Sequence, residues 1–294
     1  IAPWYLQTVA KGPFTLKQIQ FLGVPDAGSD YLDVIAKKGQ EKTVARSLLD
    51  YLLTEAANAW DCMMLEDLPA DSLFMLHFLS KVEEEGKYAE IRLGSFCPTV
   101  ALPAKNDELF ATASTHRKKQ YRRDLKILQS KGDMIHESLS GHDKNGTIDE
   151  YCAFYEAKNE RFDSSLRPFL KRYISRSGPA SPVQVDVLKS NGKPIAELLH
   201  LKYGNTLHMY LMAVDKESYP QLSIGNVFIG LCMGKAVEHG IAVYDFLKGS
   251  EPYKFHWAEG GRSSLNLFFY RRKVAPIVLA ATNFLKYTAK IVMR

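Results

Sequence analysis

The hydrophobic and polar positions along the chain change period several times. In TVARSLLDYLLTEAANAW the apolar residues Val44, Leu48, Leu52 and Ala56 keep the spacing of one helix face. That stretch runs into DCMMLEDLP, a short apolar strand closed by a proline. Upstream, QIQFLGVPDAGSDYLDVI predicts a short strand, a Gly/Pro/Asp turn and the start of a helix. A basic helix is predicted over Asp107–Ser130, with Leu125 and Leu128 as its packed edge. Thr147 and Glu150 form a capping box ahead of the apolar series Ile148, Tyr151, Cys152, Tyr155 and Phe162. PVQVDVLK then alternates with period two, placing Val183, Val185 and Val187 on one face. SNGKP follows, and Asn-Gly accepts the positive φ of a type I′ hairpin turn. PIAELLHLKY, a Gly-Asn turn and TLHMYLMAV complete an antiparallel meander of three strands. A polar loop leads to a helix from about Asn226 that Gly240 stops. IAVYDFLKG is a fourth strand, and a strand that returns after a helix lies parallel to its sheet neighbour.

A length of 294 residues suits one large domain or two ordinary ones, and the 46% hydrophobic and 24% charged residues are those of a globular chain. The net charge of +5 points to an anionic ligand more than to a nucleic-acid coat. Its densest cations, Arg117, Lys118, Lys119, Arg122, Arg123 and Lys126, lie on the basic helix; they read as a solvated face or as a surface for phosphates or anionic lipid. The four cysteines, Cys62, Cys97, Cys152 and Cys232, are far apart and form no C-x-x-C or Cys/His cluster. Their spacing implies a reducing compartment and neither disulfides nor metal. His136 and His142 fall close together in a predicted loop. No signal peptide is visible, and the apolar run VAPIVLAATNFL has roughly half the length of a membrane span. The start at Ile1, without Met, reads as an interior position, with an N-terminal segment expected before it.

The order meander, glycine loop, helix, strand has a chemical consequence. The first turn of the helix carries N–H groups without intrahelical partners at the positive end of its dipole, which suits a phosphate. Ser223, Gly225 and Asn226 are the candidates there, against the reading of an ordinary loop-to-helix turn. The third and fourth strands are expected side by side, with a ligand cleft at their ends. Asp245 keeps register with apolar Val243 and Leu247, so it reads as a general base or as a structural acid. Glu197 shares a face with Ile195, Leu199 and Leu201, so it reads as a second candidate base or as an outward-facing residue.

The motifs STHRKKQYRRDLKIL, NERF, NGKPIAELL, LMAVDKESYPQLSIGNVFI and YDFLKGSEPYKFHW resemble, in that order, the GNAT-fold acyltransferase domain of CelD-like proteins of bacterial cellulose and exopolysaccharide biosynthesis, relatives of the Fem-type peptidyltransferases. FLGVPDAGSDYLDVI is similar to the first half of the same family. The resemblance implies an α/β (α+β) fold of tandem GNAT-like domains, each with a mixed, mostly antiparallel sheet flanked by helices. Residues 1–131 would form the first domain, with 271–294 packing back on it or contacting a membrane surface; residues 132–270 would form the second, carrying the active site. It implies transfer of an acyl group from acyl-CoA, without a metal, to an amine or hydroxyl of a cell-envelope, glycan or lipid-linked precursor. The location implied is cytoplasmic, including the inner membrane face. Nucleic acid enters only in the Fem-type alternative, where the donor is aminoacyl-tRNA. It carries Lys254 to the reaction centre beside Asp245 and Glu197, and lines the cleft with Glu251, Tyr253 and Trp257. Arg161 and Phe162 would border the acceptor, and Gln221 would join Ser223, Gly225 and Asn226 in the donor loop. One departure stands out: QLSIGN keeps a glutamine and a glycine but not the R/Q-x-x-G-x-G/A spacing of CoA-binding relatives. That departure keeps a second class open, a non-catalytic GNAT-like module that binds a glycan precursor or a partner protein.

Overall fold

A computed structural model of the chain describes residues 1–11, 14–24, 28–111, 115–140, 147–159, 165–177 and 181–271. Among the described residues the chain divides into two compact units, Ile1–Phe96 with 262–271, and Cys97–Gly261. The division after Phe96 falls ahead of the sequence-based boundary at 131/132, so the basic helix lies in the second unit, where it packs on another helix. The segment after Arg271, expected to pack back or to meet a membrane, lies outside the described residues. Among the described residues no helix is long and apolar enough to cross a membrane.

In the first unit, β1 (Trp4–Lys11) and β2 (Phe14–Phe21) form an antiparallel hairpin. Helix α1 (Glu41–Leu53) carries the chain over to β3 (Cys62–Pro69), which lies parallel to β2. Helix α2 (Leu73–Glu84) starts at Ser72, whose hydroxyl accepts the Met75 N–H at 3.0 Å and caps the first turn. β10 (Gly260–Tyr270) pairs antiparallel with β3. Phe21, Leu49, Trp60, Leu65, Phe78 and Phe269 fill the core. Trp60 is buried without a polar penalty because its Nε1–H donates to Leu52 O at 3.0 Å. The helix expected to start at DYLDVI does not form. There the Asp33 carboxylate takes the Val34 N–H at 2.7 Å, a local bond that competes with a helical one, and α1 begins only at Glu41.

The second unit receives the end of β4 (Ala89–Ala101), then α3 (Thr115–Ser130) and β5 (Met134–Ser140). The predicted start of α3 at Asp107 is corrected: residues 106–108 make only a single 3-10 turn. His136 is corrected as well, because it sits on strand β5 and not in a loop; His142 lies outside the described residues. α4 (Thr147–Lys158) and α5 (Leu166–Ser177) follow, then the meander β6 (Val183–Ser190), β7 (Lys193–Tyr203) and β8 (Thr206–Val214). β5 through β8 pair antiparallel in sequence order. Asn191 at φ 50 and Gly192 at φ 76 give the β6–β7 turn the positive values a type I′ hairpin requires. Helix α6 (Ile224–Glu238) returns the chain to β9 (Val243–Asp245), which lies parallel to β8 and antiparallel to the end of β4.

Strand alternation divides this unit's interior between two faces. Val183, Val185 and Leu199 point to the face covered by Tyr151, Cys152 and Leu170 of α4 and α5. Leu188, Leu198 and Leu207 point the other way, under Phe228, Cys232 and Met233 of α6. Helix α6 carries buried residues around most of its circumference, which is why its sequence shows no amphipathic stripe.

Candidate functional site

The first turn of α6 meets α3 from the side. The Ser223 N–H donates to Asp124 Oδ2 at 3.2 Å, and the Asn226 amide donates to Ser223 Oγ at 2.8 Å. Asp124 is 1% exposed, and its other oxygen pairs with Arg123 at 2.8 Å. A carboxylate of the chain itself thus occupies the positive end of this helix. Gly225 packs on Met212 and Val214, and Gln221 lies apart, on a separate groove beside Arg123, Lys131 and Tyr219.

Beside that turn is a cavity of about 170 Å³. Phe110, Tyr121 and Trp257 make its aromatic wall, with ring centroids 4.6 to 6.1 Å apart. Gly230 makes that wall fit: a Cβ there would run into the rings of Tyr121 and Trp257. Ser223, Asn226 and His256 border the cavity, and Arg117 on its rim holds the Phe255 and His256 carbonyls at 3.3 and 3.1 Å. Burial, then the Arg117 charge, lowers the pKa of His256. Two polar atoms of the lining residues are buried without a hydrogen-bond partner, the donor Trp257 Nε1 and the acceptor Asn226 Oδ1. An unmet donor and acceptor beside an apolar wall is the chemistry of a site for a ligand with an amide-like edge.

The exit of β9 is built separately. β8 and β9 pair only from Thr206/Val243 to His208/Asp245; β8 then runs on to Val214 while β9 ends. The strands therefore open beyond Asp245. Asp245 is 2% exposed, accepts the Leu247 N–H at 2.8 Å and lies 3.5 Å from His208 Nδ1. Lys254 is 4% exposed, and its ammonium is gathered by Lys248 O at 2.7 Å, Leu247 O at 3.4 Å and Glu251 at 3.0 Å. The loop winds around that ammonium so closely that a Cβ on Gly249, at φ 133, would land on the Glu251 carboxylate and the Lys254 ammonium. Tyr253 packs edge-on against Phe246, and burial followed by Glu251 raises its pKa.

Glu197 sits on β7 opposite Ala213, against the face of α4. It is 4% exposed, and its Oε2 has no hydrogen-bond partner. Burial, reinforced by Glu150, pushes its pKa up from 4.5 to about 7. Asp245 pairs across from His208 on β8. Ala213 and His208 stand five positions apart on that strand, roughly 16 Å at about 3.3 Å per residue, so Glu197 and Asp245 do not converge on one reacting atom. Of the sequence-predicted residues, Ser223, Asn226 and Trp257 meet at the cavity, while Asp245, Lys254, Glu251 and Tyr253 meet at the β9 exit. Arg161 and Phe162 lie outside the described residues.

The sequence reading missed a buried polar network beneath α6. Asp186, fully buried on β6, accepts from His136, Ser138, Gln184 and His200, and the far nitrogen of His200 meets the Tyr244 hydroxyl at 2.8 Å. Burial works to raise the pKa of Asp186, but the bonds from His136 and His200 outweigh it and hold the carboxyl well below the usual range. One signal was available: Asp186 and His200 interrupt apolar strand positions.

Residues 115–255 match the family model of the acetyltransferase (GNAT) domain. Most of the second unit is thus similar to a GNAT domain. No curated protein matches the chain. Solved structures with the same fold include L-PGS from Bacillus licheniformis, 10% identical, covering 95% of this chain and 85% of its own with a TM-score of 0.59. The C-terminal domain of a putative lysylphosphatidylglycerol synthetase from Agrobacterium fabrum is 12% identical over 97% and 89%, also with a TM-score of 0.59. FemX is 13% identical over 91% and 84%, with a TM-score of 0.58. The chain thus has a mixed α/β GNAT fold, and its GNAT domain marks it as a GNAT-type transferase.

Proposed function

We propose that the GNAT domain transfers an acyl group from acyl-CoA to an amine or hydroxyl of a cell-envelope or exopolysaccharide precursor, as in the CelD-like proteins. The observation that carries this reading is the α6 cavity with its unmet donor and acceptor. The pantetheine arm of CoA is neutral and carries amides. Trp257 Nε1 would donate to an amide carbonyl, and Asn226 Oδ1 would accept an amide N–H. The diphosphate fits the α6 terminus less well, because Asp124 already takes the Ser223 N–H there; exposed Arg122 and Lys126 of α3 are the cations left for phosphate. When bound, the thioester supplies the activated acyl group. Glu197 then serves as the candidate base, because a group titrating near 7 balances availability against basicity. Lys254, Asp245 and Glu251 hold the shape of the β9 exit with Tyr253 packed beside them, and the acceptor would enter on the α4 face, where Glu197 lies. A glycan or lipid-linked acceptor, handled at the inner membrane face, follows from the CelD-like reading.

A second reading keeps the fold and changes the donor to aminoacyl-tRNA, as in Fem-type proteins. Asp124 at the α6 terminus favours it, as does the row of exposed cations on α3. Thermal shifts with acetyl-CoA, longer acyl-CoAs and free CoA separate the two. Stabilisation by a CoA species that falls about tenfold in affinity in Trp257→Phe supports the first reading. No shift with any CoA species removes it.

A further inference from the structure

We propose that His136, Asp186 and Cys232 form a buried site for a single zinc-class divalent ion, under α6 and outside the donor cavity. His136 Nε2, an Asp186 carboxylate oxygen and Cys232 Sγ all lie within 4.8 Å of one another. His136 Nε2 is 3.1 Å from Asp186 Oδ1 and 3.9 Å from Cys232 Sγ. Zinc bonds of about 2.0 to 2.3 Å in a tetrahedron place ligand atoms roughly 3.3 to 3.7 Å apart, so shifts of under about 1 Å assemble the set. A nitrogen, an oxygen and a sulfur ligand together suit zinc and cobalt better than calcium or magnesium.

The surroundings orient the ligands as an outer shell does. Asp186 Oδ2 accepts from His200 Nδ1 and Gln184 Nε2, each at 2.8 Å, which leaves Oδ1 facing His136 and Ser138. Lys235, one turn after Cys232 on α6, donates to the His136 carbonyl at 3.0 Å and to Ser138 Oγ at 3.4 Å. It ties β5 to α6 beside the thiol. The Phe228 ring lies 5.5 Å from that of His136, edge to face, and keeps the imidazole upright. On binding, the Cys232 S–H bond breaks, its proton leaves to solvent, and the sulfur pair bonds the ion. His136 gives up the Nε2 proton that it donates to Asp186, takes one up on Nδ1 as the other neutral tautomer, and the freed Nε2 lone pair bonds the ion. Thiolate and carboxylate together neutralise the two positive charges. Ser138 Oγ, already on Asp186, or a water completes the tetrahedron.

The test needs no knowledge of the acyl donor. The whole chain is stripped with a chelator and titrated with Co(II). The expected result is saturation at one equivalent, an intense tetrahedral d–d absorption, a thiolate-to-cobalt charge-transfer band, and displacement of both by Zn(II). Cys232→Ser loses the charge-transfer band, His136→Gln weakens binding at least tenfold, and Cys62→Ser, in the first unit, keeps the native spectrum. A wild-type protein without a charge-transfer band overturns the proposal, whatever the variants do. So does a band that survives in folded Cys232→Ser.

Discussion

At the scale of single residues, Glu197 has the most measurable consequence. Its side chain is buried on β7 with one oxygen unpartnered, and its pKa rises from 4.5 to about 7 because the fold disfavours the charge. A carboxyl raised in the folded state stabilises fully below its unfolded pKa and loses that contribution as pH climbs through the folded one. The protein should therefore lose on the order of 2–3 kcal/mol between about pH 4.5 and 7.5 through this group. Glu197→Gln should flatten that part of the profile and be the more stable form at pH 8, read as melting temperature against pH. An unchanged profile would remove Glu197 as its source. The residue was legible as a candidate because a glutamate on an apolar strand face is anomalous. Lys254 was legible as special, but not its surroundings. Only the folded loop shows two carbonyls and Glu251 converging on its ammonium.

At the scale of elements, the β6–β7 hairpin, β3, α6 and the parallel return of β9 follow from local pattern, because turn chemistry and periodicity act over a few residues. The start of α3 and the helix expected near Asp33 did not follow, because a side-chain bond and a short 3-10 turn won locally. The α6 terminus combines both cases. Ser223 and Asn226 were found by position, but Asp124 reaches Ser223 across 99 residues of sequence. Asp124→Asn keeps an acceptor for the Ser223 N–H and removes the negative charge. Its affinity for acetyl-CoA should rise roughly three- to tenfold, by the usual strength of a charge at a helix terminus. Titration calorimetry reads this directly, and equal or weaker binding would separate Asp124 from the donor site.

At the scale of the whole molecule, the decisive feature of the second unit is the network that joins β5, β6, β7 and β9 under α6. Its members, His136, Asp186, His200 and Tyr244, are spread over more than a hundred residues and converge only through strand order and register. Asp186→Ala leaves both imidazoles and Gln184 without their shared acceptor. It should cost about 3 kcal/mol of stability, measured as the urea midpoint of the metal-free protein. A loss below about 1 kcal/mol would show that water replaces the carboxylate.

The sequence by itself determined the alternation of strands and helices, the turns between them, and the resemblance that led to the GNAT fold, since each is written in neighbouring residues. Tertiary structure alone decided that the α6 terminus is held by Asp124, that Glu197 and Asp245 stand apart, and that His136, Asp186 and Cys232 meet. Contacts between distant strands and helices depend on register and packing, and no local pattern of residues encodes which side chains those will bring together.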